Sequence, residues 1–279
     1  MLVAIAGGSA PAIRYVSCET CELDPFWGAA TRFLLAGAIF AVVALVLRTA
    51  LPRGRALGGA ALYGLLQFGV GFGFVYWGLV RAPAGLAQVL LACVPLLTFA
   101  LALLHRQERF RWEGIAGALL AVAGIGVVFS SGLEGDVPLS SMLAILAGAL
   151  CWAEAFVVVK AFPPVPSAAM NAVGMAVGAV VLFVLSILGG EAYALPESAS
   201  TWGAQAYLVL AGSIGAFWLF VFVLRRWTAS AASYQMVLIP LVTVVVSAWL
   251  HDEPVTPAFA AGSVLVLAGV YVGAIRPSG

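Results

Sequence analysis

Two stretches of the chain, ERFRWEGIAGALLAVAG at residues 108–124 and EPVTPAFAAGSVLVLAG at residues 253–269, are related by an offset of 145 positions. Each places a glutamate nine residues before a glycine and ends in Ala-Gly. Applied without a gap to residues 79–129, the same offset gives 14 identities in 51 positions, including Pro95 with Pro240. Shared apolar composition yields alanine and leucine matches, but it does not readily align proline, glutamate and glycine together. The sequence therefore contains an internal repeat.

The composition indicates whether this chain folds in water or in a lipid bilayer. Of its 279 residues, 63% are hydrophobic and 9% charged, with a mean hydropathy of +1.10. A soluble domain carries about 25% charged residues, so this chain could not cover a globule of its size in water. The composition indicates an integral membrane protein. A net charge of +1, with no basic stripe outside short loops, argues against nucleic acid as a partner.

Apolar stretches long enough to cross the bilayer predict an all-α, polytopic protein with ten transmembrane helices. The first stretch is the weakest, because it contains Gly7, Gly8 and Pro11; it is retained over a signal peptide because it lacks a basic start. The predicted spans are about 1–17, 26–47, 58–80, 83–104, 112–130, 138–160, 167–188, 202–224, 229–250 and 257–275.

Basic residues in the loops predict the orientation. The loops after spans two, four, six, eight and ten carry ten of them, and the opposite loops carry two, Arg14 and Arg81. By the positive-inside rule both termini are cytoplasmic, in a multi-pass protein of the inner (plasma) membrane. The ten are Arg48, Arg53, Arg55, Arg106, Arg109, Arg111, Lys160, Arg225, Arg226 and Arg276.

Each copy of the repeat holds five spans, an odd number, so the second copy enters the membrane inverted. The predicted halves are residues 1–130 and residues 138–276. Inverted repeats are typical of secondary transporters, which bind substrate near the midplane between the halves and rock one half against the other. We expect spans one, three, four, six, eight and nine to line that cavity, with spans five and ten as peripheral supports.

Motifs in four regions resemble the EamA family of the drug/metabolite transporter superfamily. Residues 31–37, TRFLLAG, are similar to the family's RFLLA signature, and residues 107–128 and 252–272 each resemble its closing signature. Residues 149–160, a Trp followed by an apolar run ending in lysine, resemble the start of its repeat. The resemblance implies a ten-helix exporter of metabolites or amino acids and does not identify the substrate. Span one departs from the pattern, because the expected tryptophan is missing there.

Span six carries two candidate site residues. Glu154 lies about 15 residues into the span, where a charge is costly and therefore suggests a role in binding a substrate amine or in carrying a proton. A protonated acid bonded to a neighbouring helix is the structural alternative. Trp152 is a second candidate, but it is offset from Glu154 by about 200° on the helix, so the two cannot face one cavity centre.

The remaining candidates for substrate contact are polar and aromatic side chains within four spans. Polar groups in spans often serve only to join helices, and aromatic stripes are more often packing than recognition. The two prolines, Pro95 and Pro240, each remove a backbone hydrogen bond and predict a kink or hinge. The substrate candidates are Gln88, Phe72, Tyr76, Trp218, Tyr234 and Gln235.

Three charged residues outside this set receive structural interpretations. Arg32 lies about six residues inside span two, and we interpret it as extending toward the outer interface, near the acids of residues 19–24, rather than clamping a carboxylate. Glu108 and Glu253 are predicted to cap the helices that follow them, with gating as the alternative.

Several classes of function are disfavoured. The sequence predicts no cofactor and no metal site: Cys18 and Cys21 form a lone CxxC, equally consistent with a disulfide or free thiols. No GxxxxGK[ST] run binds ATP. An intramembrane transferase or hydrolase would need a second deep carboxylate or a His–Asp set, and a channel would need charged rings or a filter motif.

The sequence therefore predicts a non-enzymatic carrier with a small-molecule substrate in a lipid bilayer, leaving monomer or dimer open. It favours export of apolar or aromatic amino acids, or metabolites of that size, through a pocket of aromatic and few polar groups. Transporters of drugs or nucleotide sugars are the alternatives, the latter disfavoured because Arg or Lys clamps are lacking.

Overall fold

The computed structural model describes residues 8–16, 22–82, 84–128, 130, 137–242 and 257–275. These residues form helices and connecting turns without a β-strand, so the all-α prediction is confirmed for them. The helices in chain order are α1 (Ser9–Val16), α2 (Pro25–Val46), α3 (Arg55–Leu79), α4 (Ala84–Leu91 and Val94–Leu104), α5 (Trp112–Val128), α6 (Leu139–Ala161), α7 (Ser167–Gly189), α8 (Ala199–Arg226), α9 (Ala229–Val242) and α10 (Pro257–Val270 and Tyr271–Ile275).

Seven of the described helices are long and apolar enough to cross a membrane: α2, α3, α4, α6, α7, α8 and α10. Helices α5 and α9 are apolar but shorter over the part that the structure describes. The prediction of a polytopic membrane protein is therefore confirmed. The predicted first span, 1–17, overlaps the eight-residue α1, and the predicted ninth span continues past Val242 into residues outside the described ranges.

The helix caps follow from local sequence. Pro25 begins α2, where its missing N–H costs nothing. The hydroxyls of Ser198 and Thr228 accept hydrogen bonds from backbone N–H groups in the first turns of α8 and α9, at 3.2 Å in both cases. Helix α7 ends at Gly190, whose φ of +66° suits glycine. These caps fix the registers of the helices that surround the cavity described below.

Helices α3 and α8 share an irregularity. Each contains a π-helical turn, at Leu65–Gly71 in α3 and at Leu210–Gly215 in α8. The two turns begin 145 residues apart, the offset of the sequence repeat, although they lie outside the segment in which the identities were counted. Because π-helical turns are rare and recur at functional sites, this shared irregularity directs attention to the region between α3 and α8.

Helices α5 and α10 pack backbone against backbone through their glycines. A Cβ added at Gly117 would lie 2.6 Å from the Gly269 carbonyl oxygen, and one added at Gly262 would lie 2.5 Å from the Gly124 carbonyl oxygen. Gly262 is the repeat equivalent of Gly117, and Gly124 is the repeat equivalent of Gly269. The two contacts are therefore equivalent, as expected for two elements related by a twofold axis. The glycines of the closing signature therefore allow a close helix–helix contact.

A cluster of aromatic rings joins α2, α3, α6 and α8. Phe72 of α3 packs against Phe33 of α2 and Trp152 of α6, with ring centroids 4.9 Å apart in both pairs. Phe68 of α3 packs edge-on against Phe217 of α8, with centroids 4.8 Å apart. Such pairs contribute about 0.5–1.5 kcal/mol each beyond their burial. The cluster forms one wall of the cavity.

Candidate functional site

A cavity of about 110 Å³ lies between the helices of the bundle and is large enough for several water molecules. Its wall is mainly apolar. The predicted spans one, three, four, six, eight and nine all contribute, and α2 contributes as well, whereas no described residue of α5 or α10 does. The lining residues are Ser9, Ile13, Arg32, Gln67, Phe72, Val75, Leu79, Ala87, Gln88, Leu91, Trp152, Gly212, Ala216, Phe217, Phe220, Gln235, Met236 and Ile239.

Arg32 is buried in this wall, with 1% of its surface exposed. Its Nε donates to Ser213 Oγ at 2.8 Å, Nη1 to the Tyr76 hydroxyl at 3.2 Å and Nη2 to the Gly212 carbonyl at 3.0 Å. The guanidinium carbon lies 5.0 Å from the ring centroid of Phe33. The expectation that Arg32 extends toward the outer interface is wrong, because its side chain points inward to the π-helical turn of α8.

The two π-helical turns present equivalent carbonyl groups to this region. The Gly212 carbonyl accepts from Arg32, and the Gln67 carbonyl, 145 residues earlier, accepts from Trp152 Nε1 at 3.1 Å. Gly212 leaves room for these side chains, because a Cβ there would lie 2.8 Å from Ser9 Oγ and 3.2 Å from Arg32 Nη2 and would displace them. The π-helical turns of α3 and α8 thus each hold one large cavity side chain by a hydrogen bond, Trp152 and Arg32 respectively.

Three polar atoms of lining residues have no hydrogen-bond partner within the described protein: Ser9 Oγ, Gln67 Oε1 and Gln235 Nε2. The side chains of Gln67 and Gln235 are 1% and 9% exposed. A buried polar atom left without a partner costs about 1–3 kcal/mol. These atoms therefore favour a cavity that holds water or a polar ligand.

The predicted contact residues divide into two groups. Phe72, Gln88, Trp152 and Gln235 line the cavity. Tyr76 does not line it, but its hydroxyl accepts a hydrogen bond from Arg32 and helps to position the guanidinium. The sequence pattern therefore identified four of the nine polar and aromatic lining residues and missed Ser9, Arg32, Gln67, Phe217 and Phe220.

Trp218 and Tyr234 lie elsewhere. The Trp218 ring stacks on Phe40 with centroids 6.1 Å apart, and the Tyr234 hydroxyl donates to the Gly114 carbonyl of α5 at 3.2 Å. Both side chains join helices in this structure. Their aromatic character alone did not distinguish packing from recognition.

Glu154 does not line the cavity. Its Oε1 lies 3.1 Å from His105 Nε2 at the end of α4, and the two side chains are 27% and 41% exposed. The angular offset along α6 explains the arrangement, because Trp152 faces the cavity and Glu154 faces away from its centre. The structure therefore places Glu154 in a contact between α4 and α6.

Glu108 joins the two halves of the chain at one end of the bundle. Its carboxylate accepts from the Ser230 N–H at 3.0 Å and from the Ser230 hydroxyl, in the first turn of α9. The expected cap of the following helix is wrong for Glu108, because the carboxylate binds the N-terminus of α9 instead. Glu253 lies outside the described residues. Basic side chains surround Glu108, and we call this region the basic end: Arg109, Arg111, Lys160 and Arg226.

Two further contacts close the bundle between the cavity and the basic end. Gln107 Nε2 donates to the Val157 carbonyl of α6 at 3.0 Å. The buried rings of Phe156 and Phe220 pack with centroids 4.7 Å apart, and Phe220 also lines the cavity. Phe220 thus links the cavity wall to Phe156, and Gln107 and Glu108, in the turn after α4, are hydrogen-bonded to α6 and α9.

Acidic side chains tie the halves together at the opposite end. Glu191 accepts from the N–H groups of Phe26 and Trp27 at 3.0 and 2.8 Å, at the start of α2. Glu22 accepts from the N–H groups of Glu197 and Ser198 at 2.8 and 3.2 Å. Hydrogen bonding from Ser198 lowers the pKa of Glu22 to about 2. These contacts define the acidic end of the bundle.

The two prolines differ in their surroundings. Helix α4 is interrupted at residues 92–93, and Pro95 lies in the first turn of its second segment, as the kink prediction requires. Pro240 is buried within the Ala229–Val242 helix, whose irregularity falls earlier, at Tyr234.

No cluster of three or more His, Cys, Asp or Glu side chains that could hold a metal ion occurs among residues whose placement the structure describes. Cys93 and Cys151 are half-buried free thiols, and Cys18 and Cys21 lie outside those residues.

The chain is similar to known membrane transporters over most of its length. The model of the EamA-like transporter family matches residues 1–130 and 139–274. The uncharacterized inner membrane transporter YedA of Escherichia coli K12 is 32% identical over 232 residues, 82% of this chain and 74% of that protein.

Two relatives have names that mention a solute. A probable amino-acid metabolite efflux pump of Salmonella typhimurium is 27% identical, over 90% of this chain and 86% of that protein. A probable terminal-alkyne amino-acid exporter of Streptantibioticus cattleyicolor is 27% identical, over 86% of this chain and 80% of that protein. A solved crystal structure superposes with a TM-score of 0.81 at 22% identity, over 99% of this chain and 96% of that one, which shows that the fold is shared.

Proposed function

The chain belongs to the EamA-like transporter family, and from that premise we propose that it is a secondary transporter exporting small organic metabolites, apolar or aromatic amino acids foremost. The observation that carries the proposal is the central cavity, whose wall combines aromatic rings with Arg32 and three polar atoms that lack partners. Small-molecule sites typically have such an apolar wall with few placed polar groups.

We further propose that ten spans form two inverted five-helix halves, residues 1–130 and 138–276, with both termini cytoplasmic. The matched π-helical turns and the reciprocal contacts Gly117–Gly269 and Gly124–Gly262 support the inverted arrangement. The excess of basic loop residues at the basic end supports the orientation. The basic end is then cytoplasmic, and the acidic end faces the opposite side.

In the proposed cycle this structure is closed at the basic end. Opening it requires separation of Glu108 from α9, of Gln107 from α6 and of the Phe156 and Phe220 rings. The contacts of Gln107 and Glu108 join the turn after α4 to helices of the second half, so rocking of one half against the other breaks both of them. Phe156 and Phe220 both belong to the second half, and they separate only if α6 and α8 move apart. The glycine-packed α5 and α10 would act as a fixed support during that motion.

The choice of amino acids as substrates rests on the printed names of two relatives and on the apolar cavity wall with few polar groups, and the direction of transport rests on those names alone. An intramembrane enzyme receives no support from the described wall, which contains no carboxylate or histidine. Nucleotide sugars carry several phosphate charges, whereas the described wall offers one basic side chain, Arg32.

Resistance to toxic amino-acid analogues tests this proposal. Host cells that overexpress the protein should tolerate higher concentrations of aromatic or branched-chain analogues than vector controls. Ala87→Phe fills the cavity and should abolish resistance, whereas Ala100→Phe, on the exposed face of the same helix, should retain it. Unchanged sensitivity to every such analogue, with membrane expression confirmed, would overturn the amino-acid assignment.

A further inference from the structure

We propose that Arg32 binds the carboxylate of the transported molecule, so that the substrates are apolar organic acids whose α-amino group is tolerated but not required. This inference rests on the proposed function, because it takes the central cavity as the transport site. It narrows the substrate class by the charge that the cavity recognises.

The first argument is a count of hydrogen-bond donors. A guanidinium carries five N–H donors, and three of those of Arg32 are used by Ser213, Tyr76 and Gly212. One N–H on Nη1 and one on Nη2 therefore remain for a further acceptor. Two N–H groups on neighbouring nitrogens match the two oxygens of a carboxylate.

The second argument is charge. Every hydrogen-bond partner of Arg32 is neutral, and no carboxylate of the described residues forms an ion pair with its guanidinium. The Phe33 and Phe72 rings, at 5.0 and 5.4 Å, offset its charge only partly. A cation that is 1% exposed and has no counter-ion among the described residues is costly, and an anionic ligand removes that cost.

The third argument concerns the ammonium group of an amino acid. None of the lining residues is Asp or Glu, and Glu154, the acid expected to bind an amine, is paired with His105 outside the wall. A ligand ammonium would find only neutral acceptors, such as Gln67 Oε1. The cavity thus favours the carboxylate strongly and the ammonium weakly.

The competing explanation is that Arg32 only joins α2 to the π-helical turn of α8. A carboxylate introduced beside Arg32 by substitution distinguishes the two explanations experimentally. Ser213→Asp places a carboxylate beside Nε, which would preserve or strengthen a purely structural contact while neutralising the charge offered to a ligand. Ser213→Asn has nearly the same size without the charge and serves as the matched control.

The experiment measures binding to purified full-length protein by ligand-induced thermal stabilisation. The probes share a phenyl body: phenylalanine, 3-phenylpropionate, 3-phenylpropionamide and phenethylamine. For the wild type we expect both carboxylates to bind at least about tenfold more tightly than the amide and the amine, as loss of charge-assisted hydrogen bonds implies. The carboxylates should bind Ser213→Asp at least about tenfold more weakly than Ser213→Asn.

The wild-type comparison requires no variant, so misfolding of Ser213→Asp leaves the inference testable. Binding of the amide within threefold of the acid, or binding of no probe, would overturn it, as would equal carboxylate binding by the two Ser213 variants. Resistance to amino-acid analogues without discrimination between acid and amide would refute the role of Arg32 while the proposed export stands. Discrimination without resistance would refute amino-acid export while the carboxylate site stands.

Discussion

Two charged side chains, Arg32 in the cavity and Glu108 at the basic end, have opposite surroundings. Among the described residues, Arg32 has only neutral hydrogen-bond partners. Both carboxylate oxygens of Glu108 accept hydrogen bonds from Ser230, and basic side chains lie around it. A buried charge without a charged partner fits a group that binds a ligand, whereas a contact between helices of different halves fits a group that holds a conformation.

Replacing Arg32 should produce the largest effect. Arg32→Gln removes the charge, and we expect transport of carboxylate substrates to fall about 100-fold, the upper range for a charged hydrogen-bonding pair. Arg32→Lys keeps the charge without the planar fork and should retain intermediate activity. Export rates from loaded cells measure both. Equal rates for Arg32→Gln and the wild type would remove the distinction between the two regions.

Breaking the contact between Glu108 and α9 should have a moderate effect of a different kind. Glu108→Gln removes a carboxylate charge from a helix N-terminus, where it stabilises the contact by about 1–2 kcal/mol. The ratio of closed to open protein should therefore fall about 5–30-fold. Thiol labelling of Ala229→Cys, at a position that is 2% exposed and directly precedes Ser230, should speed up accordingly. Glu113→Gln, an acid in the first turn of α5, is the control. Unchanged labelling in Glu108→Gln would show that this contact does not hold the basic end closed.

Glu154→Gln should leave ligand affinity within about threefold of the wild type, because Glu154 does not line the cavity. A partly exposed pair contributes about 0–1 kcal/mol, so turnover should change by no more than about fivefold. Affinity and turnover are measured separately on the same preparation. A tenfold loss of affinity would return Glu154 to the binding site that the sequence suggested.

The smallest effect is expected at the acidic end. Glu22 has a pKa of about 2, lowered by hydrogen bonds from Ser198. A lowered carboxyl pKa stabilises the folded protein at every pH above the ordinary carboxyl pKa, and this stabilisation is lost only as the pH falls through about 2. Apparent melting temperatures of the wild type and Glu22→Gln should therefore differ by a constant amount between pH 6 and pH 8. A difference that changes across that range would require another titrating group.

The sequence was sufficient to predict an all-α polytopic membrane protein and four of the residues that line the cavity. Hydropathy and the repeat predicted the helix positions, and helical spacing separated Trp152 from Glu154. The distinction between Phe72, which lines the cavity, and Trp218, which packs on Phe40, depends on helix rotation that one sequence does not specify.

Arg32 shows most clearly what the sequence pattern missed. Its distance from the end of span two suggested a side chain that reaches the interface, but its partner, the Gly212 carbonyl, lies in a π-helical turn of the other half. Nothing in the hydropathy of α8 announces that turn.

The central claim, that the cavity carries a carboxylate substrate across the membrane, is tested most directly by exchange in proteoliposomes. Vesicles that contain the purified protein and unlabelled phenylalanine should take up labelled phenylalanine from outside, and external 3-phenylpropionate should compete while 3-phenylpropionamide does not. The account predicts that exchange is lost in Ala87→Phe and reduced about 100-fold in Arg32→Gln. Exchange that persists in both variants, or that the amide inhibits as strongly as the acid, would contradict it.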